Sequence, residues 1–445
     1  MTAREGALRV LYQIDVKEAY SNIALNREIK ENPYTPVDRG FLTELVYGVL
    51  ENQMKLDYII GQFSSVKLKK IHPYALILIR LALYQLLFLD KIPPSAAINE
   101  SVELSKKYCK KTSGFINGVL RNILRKKGEI HMPSRADDLP LYLSLKYSHP
   151  LWMVNTFLKF FDPSFTEKIL EANNGKPELY VRVNTLKASV ADVLKSLEGK
   201  GFTIHRSGYI DEALVIKGEK NLQQLEELKK GHIYIQDFAS MLIAKILDPK
   251  EGDFVIDVCS APGGKTTHIA QLMKNQGRIL ARDIHPHKLK LVQSNGKRLG
   301  VNIIETQEFN GIELDENLLG KADGVLVDAP CSGLGIIRRK PEIKYRKTNE
   351  DIKALTEMQA KILSNAAKYL KIGGTIVYST CTIDPRENHK VVETFLNHNK
   401  NYQLIDISKE YHSFIPGNHQ EAMLQLYPGM DGTDGFFISK IIRKS

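Results

Sequence analysis

Cysteine and tryptophan are scarce in this 445-residue chain: there is one tryptophan, and the four cysteines, at 109, 259, 331 and 381, never form a C-x-x-C pair. No histidine stands near them in ligand spacing, so a zinc site is not expected, and no other metal is called for. Free thiols in such small number fit a reducing compartment, and a cytoplasmic protein is the expectation. Long apolar runs are missing too. The longest, Tyr74 to Leu89, is broken by Arg80 and Gln85. It falls short of the ~20 apolar residues of a membrane span and reads as a buried helix. The first residues hold no apolar signal core, and no repeat or low-complexity tract is visible.

What is present is the composition of a globular protein, 43% hydrophobic and 25% charged. At roughly 100–200 residues per domain, the length implies two to four domains. Charge is spread unevenly. Residues 1–135 hold 21 Lys and Arg against 13 Asp and Glu, which accounts for eight of the net +11. Within that stretch Lys106, Lys107, Lys110, Lys111, Arg121, Arg125, Lys126 and Lys127 stand between Glu103 and Glu129 with no acid among them. A run of cations is most often a solvated face, but one this dense favours a polyanion, and these eight are the expected RNA contacts.

Periodicity divides the chain. Residues 1–130 read as helices only, with Ala7, Leu11 and Ile14, then Leu42, Leu45, Val46, Val49 and Leu50, at helical spacing. Residues 131–146 are charged and proline-containing and read as a linker. Residues 147–240 mix helix and strand, with Leu179–Val183 and 231–235 as strands. From 241 to 445 apolar strands alternate with helices: 254–256, 278–281, 324–327 and 375–378. That alternation implies a doubly wound parallel sheet with its ligand at the carboxyl ends of the strands. Residues 434–442 read as a last, antiparallel strand at or near the edge.

The chemistry concentrates in three loops. The first is Asp257-Val-Cys259-Ser260-Ala261-Pro262-Gly263-Gly264-Lys265-Thr266, a strand running through a small-residue turn into a helix. Gly263 and Gly264 let the main chain approach a ligand, and the helix start offers unpaired N–H groups to a carboxylate-bearing cofactor. A phosphate loop is excluded, because its first glycine would have to be residue 259, and G-x-G-x-x-G is absent. Asp283, closing the next strand, is placed to take both hydroxyls of a ribose. The other two loops are Asp328-Ala-Pro330-Cys331-Ser332 and Ser379-Thr380-Cys381-Thr382. Each sets a thiol at the end of an expected strand, and Asp328 joins them. Cytosine C5 becomes nucleophilic only after a nucleophile adds at C6, so two thiols beside a cofactor loop fit covalent methyl transfer to a pyrimidine. Asp328 would support charge developing at N3.

In these motifs and their order, residues 147–445 resemble the RNA (cytosine-5)-methyltransferases of the Nol1/Nop2/Sun type, including the stretch Tyr180-Val-Arg182-Val-Asn184 and the closing Asp434-Gly435-Phe-Phe. The N-terminal third, with Asp38-Arg39-Gly40 and Phe115-Ile-Asn117-Gly118, is similar to the NusB-type helical RNA-binding fold. The resemblance implies a multidomain chain: an all-α NusB-like bundle, a small α/β module and a Rossmann-like S-adenosylmethionine-dependent methyltransferase domain. It implies S-adenosyl-L-methionine as cofactor, held by Cys259 to Lys265, Asp283 and Asp328. It also implies 16S ribosomal RNA, naked or in an assembling small subunit, as the partner of a monomeric enzyme. In that family the cysteine after Thr attacks and the one after Pro assists release, which assigns Cys381 and Cys331; DNA cytosine methyltransferases use the Pro-Cys thiol. Where the family carries an acid towards the cofactor adenine, the matching residue is Asn310, whose oxygen can still accept from an amino group. A DNA cytosine-5 methyltransferase, or an RNA-binding assembly factor without activity, are the rival readings.

Overall fold

The computed structural model describes residues 2–217, 225–408, 422–430 and 432–445. The chain forms two compact units, one of residues 1–175 with 337–346, the other of 176–336 with 347–445.

The first unit is helical. Six helices, Ala3–Asp15, Ser21–Glu31, Pro36–Phe63, Pro73–Phe88, Pro94–Tyr108 and Ser113–Arg125, share one apolar core. Three of them begin with proline, whose missing N–H costs nothing in a first turn. Helix Pro73–Phe88 is the apolar run noted above and is buried nearly all round. The two polar residues that interrupt it are paired. Arg80 meets Asp15 at 2.8 Å and Asp57 at 2.7 Å, and Gln85 accepts from Arg4 at 2.8 Å, so burying them leaves no bare charge. Helix Leu139–Lys146, capped by Asp138, lies in the stretch read as a linker. Residues 337–346 add a short insert to this unit. In it the buried Lys344 Nζ donates to Glu51 O and Asn174 Oδ1, and Tyr345 Oη donates to Leu50 O at 2.7 Å. Burial pulls the Lys344 ammonium down to about 7.

The second unit holds two sheets. Strands β1 (Leu179–Val183), β2 (Thr203–Arg206), β3 (Ala213–Lys217) and β4 (Ile233–Ile235) form an antiparallel sheet in the order β2-β3-β1-β4. The larger sheet contains β5 (Phe254–Asp257), β6 (Arg278–Asp283), β7 (Ile304–Glu308), β8 (Ala322–Asp328), β9 (Leu370–Thr380), β10 (Tyr402–Ile405), β11 (Leu424–Leu426) and β12 (Phe436–Arg443). Its order is β10-β12-β9-β8-β5-β6-β7, with β11 on β12. The five strands β5 to β9 run parallel, and β12 enters antiparallel between β9 and β10, one strand in from the edge.

Alternation along these strands builds two cores. Val255, Leu326, Val377 and Ile438 pack with helices Phe238–Leu247 and Gly264–Leu272 on one face. Ile256, Val325, Val327, Ile376, Tyr378 and Phe437 pack with Asn349–Ala367 and His389–His398 on the other. With both faces covered, the strand ends are left open for chemistry. The chain winds outward from β5 through β6 to β7, then returns to lay β8 on the other side of β5. The carboxyl ends of β5 and β8 thus form the topological switch point, the place where open α/β sheets bind their ligands.

Among the described residues no helix is long and apolar enough to cross a membrane. Nor, among them, do three or more His, Cys, Asp or Glu side chains cluster as metal ligands would.

Candidate active site

The first loop leaves β5 at Asp257. Ser260 N–H bonds Arg282 O at 2.8 Å, tying the turn to β6, and Gly263 N–H closes it onto Ser260 O at 2.7 Å. Gly263 adopts φ 99° as the cap of helix Gly264–Leu272. A Cβ there would meet Val292 Cα at 3.1 Å, so both the conformation and the space demand glycine. Asp257 is fully buried. Its Oδ2 accepts from Thr266 Oγ1 at 2.7 Å, its Oδ1 has no hydrogen-bond partner, and burial raises its carboxyl to about 7. Cys259 lies among Asp257, Asp283 and Asp328. Burial first, then those three charges, push its thiol well above the usual range, which keeps it protonated and unreactive.

Arg182 of β1 stabilises this turn from behind. Completely buried, it donates to Gly264 O at 2.8 Å and Thr267 Oγ1 at 3.1 Å, bonds Gln236, and lies 5.3 Å over the Tyr234 ring. Asn184 Nδ2 bridges Gly231 O and Leu299 O. The stretch Tyr180 to Asn184 therefore joins the small sheet to the cofactor-loop helix.

Asp283 ends β6 and spends Oδ1 on the His285 N–H at 2.9 Å. Asn310 follows β7, where its Oδ1 accepts from its own turn, Ile312 N–H, at 3.3 Å and its Nδ2 faces Glu313 at 3.4 Å. Asp328 ends β8 and is held at both oxygens: Lys265 Nζ reaches Oδ2 at 2.7 Å, and Ser379 Oγ donates to Oδ1 at 3.0 Å. Burial works against the Lys265 charge, but Asp328 more than offsets it, and the lysine pKa rises. Lys265, expected among the cofactor contacts, thus points to the acid of the thiol loop.

The two thiols meet. Cys331 Sγ and Cys381 Sγ are 3.2 Å apart, both partly exposed. Their loops are cross-bonded, Ala329 N–H to Ser379 O at 2.8 Å and Gly335 N–H to Cys381 O at 3.0 Å. The hydrogen bond to Cys381, then burial, raise the Cys331 pKa well above normal, and either sulfur can be the donor of the pair. Beneath them sits Glu387, fully buried. It accepts from Ser332 N–H at 2.9 Å, from Ser332 Oγ, and from Gln359 Nε2 at 3.0 Å, while Gln359 also donates to Pro330 O at 2.9 Å. Burial raises its carboxyl although these donors pull the other way. Gly335 and Gly435 bring their backbones together, Gly435 N–H bonding Gly335 O at 2.8 Å, and a Cβ on Gly335 would lie 1.9 Å from Gly435 O. This contact gives the closing Asp434-Gly435-Phe-Phe its physical reason. Glu387, Gln359 and Arg182 have no reading from motif chemistry alone; only the Pro385-Arg386-Glu387-Asn388 run so soon after Cys381 hinted at the first.

The eight cations lie in the helical unit. All but Lys126, which is half-buried, are exposed. Lys106 pairs with Glu103 at 2.5 Å, Lys107 with Glu5 at 2.5 Å and Lys126 with Glu129 at 2.8 Å, while Arg121 and Arg125 bond Asn117 and Asn122.

Comparison with known proteins places this architecture. The family described as 16S rRNA methyltransferase RsmB/F matches residues 244–442, the NusB family matches 1–125, and the RsmF/B-like ferredoxin-like domain matches 149–223. The chain is 38% identical to the probable ribosomal RNA small subunit methyltransferase B of Bacillus subtilis, over 100% of this chain and 99% of that one. It is 33% identical to the ribosomal RNA small subunit methyltransferase B of Cronobacter sakazakii, over 92% and 91%. Among solved structures PH0851 aligns with TM-score 0.86 and 29% identity over 99% of each chain. NSun6 from Pyrococcus horikoshii, solved with SFG, aligns with TM-score 0.60 and 27% identity over 66% of this chain and 98% of that one. The helical NusB-like region, the ferredoxin-like module and the Rossmann-like sheet thus occur here in one chain, which belongs to the 16S rRNA methyltransferase RsmB/F family.

Proposed function

We propose that this ribosomal RNA methyltransferase acts on C5 of one cytidine of 16S ribosomal RNA, through a transient bond from Cys381 to C6 of the base. The observation that carries the reading is the 3.2 Å contact of Cys331 and Cys381 beside the Lys265–Asp328 pair.

The turn of residues 259–265 fits S-adenosylmethionine. Gly263 gives the turn the left-handed conformation it needs, and the start of helix Gly264–Leu272 offers backbone N–H groups to a carboxylate. Asp283 would bind the ribose hydroxyls. Asn310, with its oxygen engaged in its own turn, is weakly placed to hold the adenine. SFG in the NSun6 structure is an analogue of this cofactor, which supports the assignment. When bound, S-adenosylmethionine supplies an electrophilic methyl group on a sulfonium.

The chain's own groups do the rest. Cys381, in contact with Cys331 and close to the Lys265 cation, would be the attacking sulfur. As its sulfur bonds C6, electron density moves towards N3 and O2 of the ring. The Lys265 ammonium favours that charge, and the Asp328 carboxylate can accept from the exocyclic amine. After transfer the C5 proton must leave to a base as the bond from Cys381 to C6 breaks, and Cys331, in contact with Cys381, would assist that release. Glu387 and Gln359 hold the loop that carries Cys331.

The test separates the thiols. Cys381→Ala should give neither methylated RNA nor a denaturant-resistant complex. Cys331→Ala should accumulate a protein–RNA adduct that migrates slowly in denaturing electrophoresis with RNA and cofactor present. The opposite pattern reverses the roles, and methylation untouched by either change removes the thiol mechanism.

A further inference from the structure

A nucleophilic thiol poised for attack is also open to oxidation, and here a second thiol touches it. The distance of 3.2 Å between Cys331 Sγ and Cys381 Sγ is about 1 Å longer than a disulfide bond. Both side chains end short, cross-bonded loops: Ala329 N–H to Ser379 O and Gly335 N–H to Cys381 O fix the backbones on either side of the pair. Closing the gap therefore asks for side-chain rotation and no strand movement. Both residues are partly exposed, which leaves the pair open to a small oxidant. Cys259 and Cys109, the other two thiols, have no sulfur partner.

We infer that Cys331 and Cys381 form a reversible intramolecular disulfide that switches the site off under peroxide and protects Cys381 from irreversible oxidation. The inference rests on the proposed catalytic role of the pair only for its effect on activity; the bond itself depends on the geometry alone. The oxidant is hydrogen peroxide. The Cys381 thiolate attacks one peroxide oxygen, the S–O bond forms as the O–O bond breaks, and hydroxide leaves to be protonated to water. The Cys331 sulfur, giving up its proton, then attacks the sulfenic sulfur of Cys381. The S–S bond forms, the S–O bond breaks, and the departing hydroxide takes that proton as a second water. Two thiols and one peroxide yield one disulfide and two waters. A dithiol reductant reverses the step by thiol–disulfide exchange. Without Cys331 in contact, the sulfenic acid would persist and advance to the sulfinic state, which such reductants do not restore.

The full-length chain, reduced and then exposed to a molar excess of hydrogen peroxide, should be digested without reductant and mapped by mass spectrometry. The expected product is a cross-linked pair of peptides holding Cys331 and Cys381, lighter by two hydrogens than the sum of the two, which dithiothreitol dissolves together with full recovery of methylation. In Cys331→Ser the same treatment should leave Cys381 heavier by two or three oxygens and unrecovered by dithiothreitol. Wild-type protein whose Cys381 gains oxygens as fast as in Cys331→Ser, or whose disulfide runs through Cys109 or Cys259, overturns the inference, and the wild-type arm decides this even if the variant misfolds. Methylation by the reduced chain is read separately. A chain that forms the bond but never methylates RNA defeats the activity reading alone, and one that methylates but never forms the bond defeats this inference alone.

Discussion

The eight cations between Glu103 and Glu129 stand at the surface, and Lys106 and Lys126 pair with acids three residues away, whereas Lys265 and Asp328 meet across 63 residues of sequence at the crest of the sheet. The first kind of pair is made by one helix or turn, competes with water, and holds nothing else in place. The second exists only because β8 lies beside β5, and its partners are fixed in turn by Ser379 and by the turn of residues 259–265. Density of charge in a sequence therefore reports a field, while a single buried pair reports a position. A field can be diluted one residue at a time. A position is lost at once.

Three variants sharpen that contrast. Lys265→Met keeps the bulk of the side chain and removes the cation beside the thiols, so methylation in single turnover should fall by about 10²–10³-fold, with RNA affinity little changed. A loss smaller than tenfold would show that the pair is structural. Asp283→Ala removes an acceptor without touching the thiols, and calorimetry should register about 1.5–3 kcal/mol weaker S-adenosylmethionine binding. Equal affinity would take Asp283 out of the cofactor site. The mildest effect belongs to the surface cluster: neutralising Arg121, Arg125 and Lys126 together should flatten the salt dependence of RNA binding by up to ~0.7–0.9 log units per lost phosphate contact, with cofactor affinity unchanged. A steep loss at constant salt slope would instead mean that these residues are built into a fixed contact of the second kind.

Much of this was legible in the sequence because it is local. A run such as Val255-Ile-Asp257 followed by small residues declares a strand end and a turn within ten positions, and the same holds at Asp328 and Thr380. The roles of the thiols came from a resemblance and not from spacing, since two strand-end cysteines 50 residues apart have no way of announcing that they touch. Arg182 reads as one cation in an apolar strand; that it holds the cofactor-loop helix depends on how the small sheet packs. Residues 337–346 read as catalytic-domain loop, yet Lys344 and Tyr345 are buried with the helical unit, a choice made by tertiary hydrogen bonds to Glu51 and Leu50 that no local pattern encodes. Asn310 was legible as an exception and its turn was not.

The touching backbones of Gly335 and Gly435 carry a consequence for the order in which the protein comes into being. Ribosomes deliver Cys331 and Cys381 well before residue 435, and until then β9 lacks its antiparallel neighbour β12. A nascent chain stopped short of Gly435 would hold every residue of the proposed chemistry and a complete helical unit able to meet RNA. It would lack the strand that backs the thiol loop. Activity should therefore wait for the far end of the sheet: a chain ending before Gly435 is expected to methylate nothing, because β9 and the thiol loop lack their last neighbour.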